Sequence, residues 1–466
     1  MVNPPQDLIC AIASPPGRGG VGIIRLSGDG IEPIAQRLFS KPLRSRTAEY
    51  VALKHAEEVV DTGIALFFQG PNSFTGEDTL EFQGHGSPVV QQRILSLLGD
   101  LGVRMARPGE FSERAFLNGK MDLTQAEAVA DLIASGSIAA AKAAMGSLTG
   151  AFSQRVEKVA TQLLDLRMQV EAAIDFPEEE VDILAESQVT TRLATLQDTL
   201  QQLFDKAEQG RLLNGGIEVA LIGAPNVGKS SLLNALSGDD TAIITDQPGT
   251  TRDLLKVDLN IGGLPIRLVD TAGLRDTEDQ VETIGIERAK AQAMRADLVL
   301  FISSVEQPLA AAKHDLDVLR AEYQIEVGEN PDALTAAPLA KVIMVRNKSD
   351  LLTEPEANLE ADLEGELVAV SATQMTGIKT LTQKIHTSVG LVHSEPPFTA
   401  RVRHIRLLAS CSESLRSGQQ CLQQGQPVEI VAEELRLAHE SLGQIVGTVT
   451  ADDLLGEIFS KFCIGK

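Results

Sequence analysis

The spacing of apolar residues changes character along this chain, and each change marks a different kind of structure. Up to residue 120 the apolar residues come in short runs, at 8–13, 22–27, 63–68 and 79–82, with one helical run at 89–98 and glycine- and proline-rich turns between them. Short runs bounded by turn residues read as strands, so this region is predicted to be a compact α+β domain. Residues 107–120 interleave charges, glycines and aromatics without a period, and they read as its edge. From residue 121 to 174 the chain is rich in Ala, Leu, Glu and Gln, with Ala126, Val129, Ala130 and Ile133 at helical spacing. Residues 193–207 behave likewise, and Pro177 separates the two runs because a proline stops a helix. The same character returns at 401–421 and 428–446. Helices on both sides of an intervening α/β stretch need partners for their apolar faces, and one bundle with the α/β unit inserted into it is the simplest arrangement. The expected domains are therefore 1–120, a discontinuous helical domain at 121–214 and 386–466, and an insert at 215–385. The stalks of the insert fall near Gly215-Gly216 and Gly390.

The insert opens with an apolar run at 217–222, then Gly223-Ala224-Pro225-Asn226-Val227-Gly228-Lys229-Ser230-Ser231, then an amphipathic run to residue 236. Strand, glycine-rich turn and helix in that order make a phosphate-binding loop, whose backbone N–H groups and helix dipole attract phosphate. Lys229 is placed for the β- and γ-phosphates and Ser230 for Mg2+. Asp270-Thr271-Ala272-Gly273 ends a second strand, bringing Asp270 near the metal and the Gly273 N–H near the γ-phosphate. Asn347-Lys348-Ser349-Asp350 ends a third, and a carboxylate at Asp350 accepts from the N1–H and 2-amino groups that guanine has and adenine lacks. Ser371-Ala372-Thr373 matches the loop behind the base. Between the first two motifs, Thr245-Asp246-Gln247-Pro248-Gly249-Thr250-Thr251 supplies a switch loop, with Thr251 a second candidate Mg2+ ligand.

After Asp-x-x-Gly, where Ras-like proteins carry a water-orienting glutamine, stands Leu274, which cannot orient water. Glu282 is the nearest carboxylate that could act instead, although a glutamate at a helix start also serves simply to complement the helix dipole. No arginine is placed as an internal finger, so a monovalent cation held by the Asn226 side-chain oxygen and loop carbonyls is a candidate source of positive charge. In the first domain, Arg25 and Glu81 border two turn-rich stretches, 15–22 and 76–86, and either share a pocket or form an ordinary surface ion pair. Cys463, beside a terminal lysine, reads either as a low-pKa nucleophile or acid or as a small buried apolar residue.

A chain of 466 residues suggests about three domains. Its four cysteines lack paired spacing, and no signal-peptide pattern or membrane-length apolar run is present, so a soluble protein of a reducing, cytoplasmic compartment is expected. The net charge of -23 opposes non-specific attraction to nucleic acid or anionic lipid. The charge is uneven, however: residues 1–120 carry 12 Lys and Arg against 13 Asp and Glu, so any contact with phosphate backbones must use a local patch.

Taken together, these motifs resemble the MnmE/TrmE family, GTPases that modify the wobble uridine of tRNA. The resemblance covers the full length: Gly19-Gly20-Val21-Gly22-Ile23, Gly76-Glu77-Asp78 with Gly84-His85-Gly86, Arg107-Pro108-Gly109-Glu110-Phe111, the GTPase motifs, and Phe462-Cys463-Ile464-Gly465-Lys466 at the C-terminus. It implies an N-terminal domain that binds folate and dimerises, a helical domain, and an inserted Ras-like domain activated by potassium-dependent dimerisation. It assigns 5-formyl-tetrahydrofolate to Arg25, Glu81, Lys120 and Lys466, K+ to Asn226, Thr245, Gln247 and Thr250, and water activation to Glu282. The implied reaction substitutes C5 of the wobble uridine of certain tRNAs with a folate one-carbon unit. A flavoprotein of the MnmG/GidA type is the implied partner, in a heterotetramer with the homodimer. Gln247-Pro248 departs from the family pattern in the cation loop, and so, elsewhere in the chain, does the acidic stretch 322–336. A ribosome-associated assembly GTPase shares the phosphate-loop motifs but gives no reason for Cys-Ile-Gly-Lys. A third reading makes the N-terminal domain a dimerisation module alone.

Overall fold

In the first 120 residues the apolar runs become a six-stranded sheet because their alternate residues can be buried on opposite faces. The computed structural model describes residues 7–175, 186–237, 256–270, 296–328, 341–352, 367–391, 398–448, 452–460, 462, 464 and 465. Chain contacts gather into two units, Met1–Ala130 with Ser147–Leu200 and Leu407–Lys466, and Asp131–Gly146 with Gln201–Arg406.

In the first unit the strands are β1 (Ile9–Ile12), β2 (Gly19–Ser27), β3 (Glu49–His55), β4 (Glu58–Phe68), β5 (Thr79–Gly86) and β6 (Arg104–Met105). Their order is β3-β4-β5-β2-β1-β6, antiparallel except where β6 runs parallel to β1. Ile24 and Leu26 of β2, with Leu80 and Phe82 of β5, form one buried face. Helices α1 (Ile31–Phe39) and α2 (Pro88–Asp100) cover it through Ile31, Leu38, Ile94 and Leu98. On the other face Ile9 and Ala11 pack on Phe111 of α3 (Glu110–Leu117) and on Phe74.

Within the expected edge at 107–120 lies α3, a helix whose buried side carries charge. Glu110, Ser112 and Arg114 are 0% exposed, so the apolar period that would announce a helix is missing. Arg114 reaches Glu110 (3.1 Å), Asp7 (2.7 Å) and Glu77 (3.1 Å), and Arg104 adds a 2.6 Å bond to Glu110.

Helices α4 (Leu123–Ala134), α5 (Ile138–Leu148), α6 (Ser153–Asp175) and α7 (Glu186–Gly215) follow, where the helical spacing placed them. On α6, Val156, Val159, Leu163, Leu166 and Val170 are buried at the three- and four-residue spacing of one helix face.

The second sheet contains β7 (Ile217–Ile222), β8 (Lys256–Ile261), β9 (Leu264–Asp270), β10 (Leu298–Ser304), β11 (Lys341–Asn347) and β12 (Leu367–Ala369). Helices α8 (Lys229–Ser237), α9 (Leu309–Gly328) and α10 (Ile378–Ser388) belong to the same region. The strand order is β12-β11-β10-β7-β9-β8, parallel throughout except for the β8–β9 hairpin. All seven residues of β10 are buried, as expected of a parallel strand covered on both faces.

The tip of the β8–β9 hairpin, Gly262-Gly263, has φ of 59° and 92°. The Nε2–H of His386 on α10 donates to the Ile261 carbonyl at 2.8 Å. On the other side Ser137 Oγ donates to the Gly263 carbonyl (2.9 Å) and Asn260 Nδ2 to the Gly136 carbonyl (3.1 Å). The hairpin thus rests on the α4–α5 turn as well as on its own sheet.

Helices α11 (Val402–Gln423), α12 (Val428–Val446) and α13 (Asp452–Ser460) complete the chain. In the first unit α12 packs along α6 through Val431, Leu435, Ala438, Leu442 and Ile445. Leu455, Phe459 and Phe462 pack on Leu123 and Ala126. Cys10 and Cys411 are core residues, their thiols pushed up by burial to about 11 and about 12.

Candidate functional site

The phosphate loop leaves the C-terminal end of β7, where a parallel sheet opens a crevice for ligands. Its turn needs backbone that only small or permissive residues adopt: Gly228 has φ of 88° and Asn226 of 61°. At Gly223 a Cβ would lie 2.2 Å from the Ile302 carbonyl oxygen, and at Gly228 one would lie 2.3 Å from Asn347 Nδ2. Lys229 opens α8 with its Nζ 2.6 Å from the Gly223 carbonyl and 3.1 Å from that of Ala224, folded along the loop that would cradle phosphate. Ser230 and Ser231 follow in the first turn of α8.

Two other motifs meet this loop. Asn347 donates to the Val227 carbonyl (2.9 Å) and accepts from the Ala372 N–H (3.3 Å), so one side chain joins the phosphate loop to both base-side loops. Asp350 Oδ1 accepts from Ser371 Oγ at 2.5 Å, and Ser371 is in turn 3.1 Å from Thr373 Oγ1. Ser349 N–H donates to the Val370 carbonyl, fixing the Asp350 turn against the end of β12. Asp270 closes β9 in register with Leu221 of β7, which sets its backbone beside the phosphate loop. Thr245, Asp246, Gln247, Pro248, Gly249, Thr250, Thr251, Thr271, Ala272, Gly273, Leu274 and Glu282 lie outside the described residues, as do Cys463 and Lys466.

In the N-terminal sheet Arg25 and Glu81 are register partners on β2 and β5, joined at 2.9 Å and 2.8 Å. The guanidinium stacks 5.5 Å from the Phe74 ring centre and 5.7 Å from that of Phe111. Glu81 lines a cavity of about 350 Å³ together with Arg46, Phe68, Phe74, Thr79 and Lys120. Lys120 is held by the Pro71 carbonyl (2.9 Å) and Arg46 by that of Asn72 (2.8 Å). Behind the cavity, Ser27 Oγ bonds to Thr75 Oγ1 and Glu77, both at 2.7 Å, which ties the 74–79 turn to β2. Glu81 and Lys120 thus line one cavity, and Arg25 is bonded to Glu81 without lining it. Arg46 and Phe74 were not anticipated, because neither stands in a recognisable motif; both lie in the turns outside the strands, before β3 and before β5.

The second sheet, its phosphate loop and its guanine-side Asn-Lys-x-Asp turn define a P-loop GTPase domain, here within a longer chain that has a second, unrelated sheet. Two family models cover that chain between them, "GTP-binding protein TrmE N-terminus" at residues 8–120 and "MnmE helical domain" at 123–463. A tRNA modification GTPase MnmE from Pseudomonas fluorescens is 49% identical over 470 residues, covering 100% of both chains. Another, from Dechloromonas aromatica, is 47% identical over 463 residues, covering 99% of this chain and 100% of its own. The chain belongs to the MnmE family of tRNA modification GTPases.

Proposed function

We propose that this protein hydrolyses GTP to drive modification of C5 of the wobble uridine in tRNA, working as a homodimer with a flavoprotein partner of the MnmG/GidA type in the cytoplasm. The observation that carries this reading is the full-length similarity to tRNA modification GTPases, joined to a cavity beside the Arg25–Glu81 pair. In this reading residues 1–120 bind folate and dimerise, 121–214 with 386–466 form the helical domain, and 215–385 bind GTP. Among the described residues no helix is long and apolar enough to cross a membrane.

The cavity's residues suit a folate. Phe68 and Phe74 offer apolar walls to a flat heterocycle, Glu81 offers a carboxylate to ring N–H donors, and Arg46 and Lys120 offer charge to an anionic tail. Bound there, 5-formyl-tetrahydrofolate or a related folate would supply a one-carbon unit. Arg25, bonded to Glu81, orients that carboxylate for the contact. Gly465, whose Cβ would lie 2.2 Å from the Ile12 carbonyl oxygen, packs against the strand beside Arg25, which supports a role for Lys466 at this cavity. Self-association through the same sheet is supported by the exposure of Val21 (61%), Tyr50 (72%) and Ile64 (40%), the last two being register partners.

In the nucleotide site Ser230 and Thr251 would hold Mg2+, and Asn226, Thr245, Gln247 and Thr250 would hold K+, which takes the place of an arginine finger. Glu282 would activate water and Cys463 would serve the modification chemistry. GTP turnover is expected to be at least tenfold faster in K+ than in Na+, accompanied by G-domain dimerisation in sedimentation experiments. Equal rates in the two salts from a monomer would remove the cation from the mechanism. In cells lacking the gene, a plasmid copy should restore C5-modified wobble uridine, measured by mass spectrometry of bulk tRNA. Glu81→Gln should fail to restore it while keeping GTP turnover. Unmodified tRNA with the wild-type copy, together with GTP-dependent ribosome association, would favour an assembly GTPase.

A further inference from the structure

Arg346 stands on β11 immediately before the Asn-Lys-x-Asp turn, and it is only 2% exposed. Strand formation does not call for it, since its neighbours Met344 and Val345 are apolar core. A guanidinium cannot shed its charge, so burying one is tolerated only where acceptors satisfy it. The acceptors described here belong to the end of β10 and the turn that follows it. Nη1 donates to the Ser304 carbonyl (2.7 Å) and Ser303 Oγ (3.3 Å), and Nη2 to the Gln307 carbonyl (2.9 Å).

That turn is also tied internally and to the nucleotide motif. Gln307 N–H donates to the Ser304 carbonyl (3.1 Å), and Val305 N–H to the Asn347 carbonyl (3.0 Å). Ser304 Oγ donates to Glu306 Oε2 (2.9 Å) and accepts from the Glu306 N–H (3.2 Å). Glu306 Oε2 then receives Lys348 Nζ at 2.6 Å. Lys348 itself has φ of 63°, uncommon for a residue with a side chain, and it lies between Asn347 on the phosphate loop and Asp350 on Ser371. A lysine so placed can lay its four-carbon stem along one face of a planar base held by Asp350.

We propose that Glu306 is a positioning residue of the guanine site: held in a turn that the buried Arg346 locks, it fixes Lys348 in the orientation that receives the nucleotide base. Stability alone does not account for the contact. The two side chains are 59% and 33% exposed, and pairs of that kind add little to folding. What the contact does fix is the direction of a side chain within a binding motif. The Glu306 carboxyl is held below the usual carboxylate range, first by the Lys348 hydrogen bond and then by Ser304, so it keeps its charge throughout the neutral range.

A double-mutant cycle on the full-length protein tests this, read by equilibrium titration with a fluorescent GDP analogue. Glu306→Gln is expected to raise Kd about three- to fivefold, as an exposed, charge-assisted pair allows. In the Lys348→Met background the same substitution should change Kd by less than about 1.5-fold, because the residue it acts through is gone. The turnover loss should fall in KM and leave kcat in place. GTP and ITP should weaken by the same factor, since Asp350 rather than Lys348 reads the 2-amino group. A role confined to folding would lower the unfolding temperature and persist without Lys348. An unchanged Kd for Glu306→Gln, or equal losses with and without Lys348, overturns the assignment.

Discussion

Asp350→Asn is expected to lower GTP affinity by a factor of about a hundred to a thousand and to confer binding of xanthosine triphosphate. The carboxylate is steered by Ser371 Oγ at 2.5 Å, on a turn fixed to the end of β12. Bound guanine offers it two donors, N1–H and the 2-amino group. Hydrogen bonds to a charged acceptor contribute about 1.5–3 kcal/mol each, and an amide returns only part of that while setting its own N–H against a guanine donor. A loss of about 3–4 kcal/mol corresponds to the expected factor. Xanthine carries an oxygen where guanine carries the amino group, so the asparagine can pair with both of its edge atoms. Competition titrations against a fluorescent GDP analogue measure both effects. A GTP affinity within threefold of wild type would take Asp350 out of the base site.

Arg114→Met is expected to destabilise the N-terminal sheet by about 3–5 kcal/mol, the cost of stranding buried carboxylates without their cation. Arg114 and Glu110 are both 0% exposed, and Arg114 also holds Asp7 and Glu77. Several folding units make a single unfolding transition unsafe to interpret, so hydrogen exchange of the β2 and β5 amides in the full-length chain is the better measure. Protection equal to wild type would show that the network is not what holds this sheet together. The same network fixes the pH response. Burial alone would raise the Glu110 carboxyl, but hydrogen bonds from Arg104, the Arg107 N–H and Arg114 outweigh it and hold it below its ordinary value. Asp7 is lowered chiefly by its hydrogen bond from Arg104. For both groups the folded pKa lies below the unfolded one, so the unfolded chain binds more protons as acid is added. Their stabilisation is therefore complete above the ordinary carboxylate range, near pH 4, and is lost progressively as pH falls below it. Arg114→Met should flatten that acid limb.

The nucleotide half of the molecule was readable in the sequence because a phosphate loop is built from one contiguous turn. Gly223, Gly228 and Lys229 announce it without reference to distant residues, and β7 and α8 flank it as the apolar runs placed them. The N-terminal cavity was only half readable. Arg25 and Glu81 stood out chemically, but that they face each other depends on the β2–β5 register, which residues 56 positions apart do not declare. Helix α3 was missed because its buried side is made of Glu110, Ser112 and Arg114. The four-residue spacing of Glu110 and Arg114 was the one available signal. Arg346 was missed for a related reason: a buried arginine looks like any surface cation until its carbonyl partners on another strand are known.

The clasp between the β8–β9 hairpin and the α4–α5 turn bears on how this GTPase can be dissected. A fragment cut at 215–385 would discard Gly136 and Ser137, along with His386, and so strip the hairpin tip of every side-chain and carbonyl anchor described for it outside its own strands. That hairpin is the covalent tether between the switch loop and Asp270. Rates measured on such an excised piece would describe a hairpin whose tip has lost those anchors, whereas the intact chain keeps them.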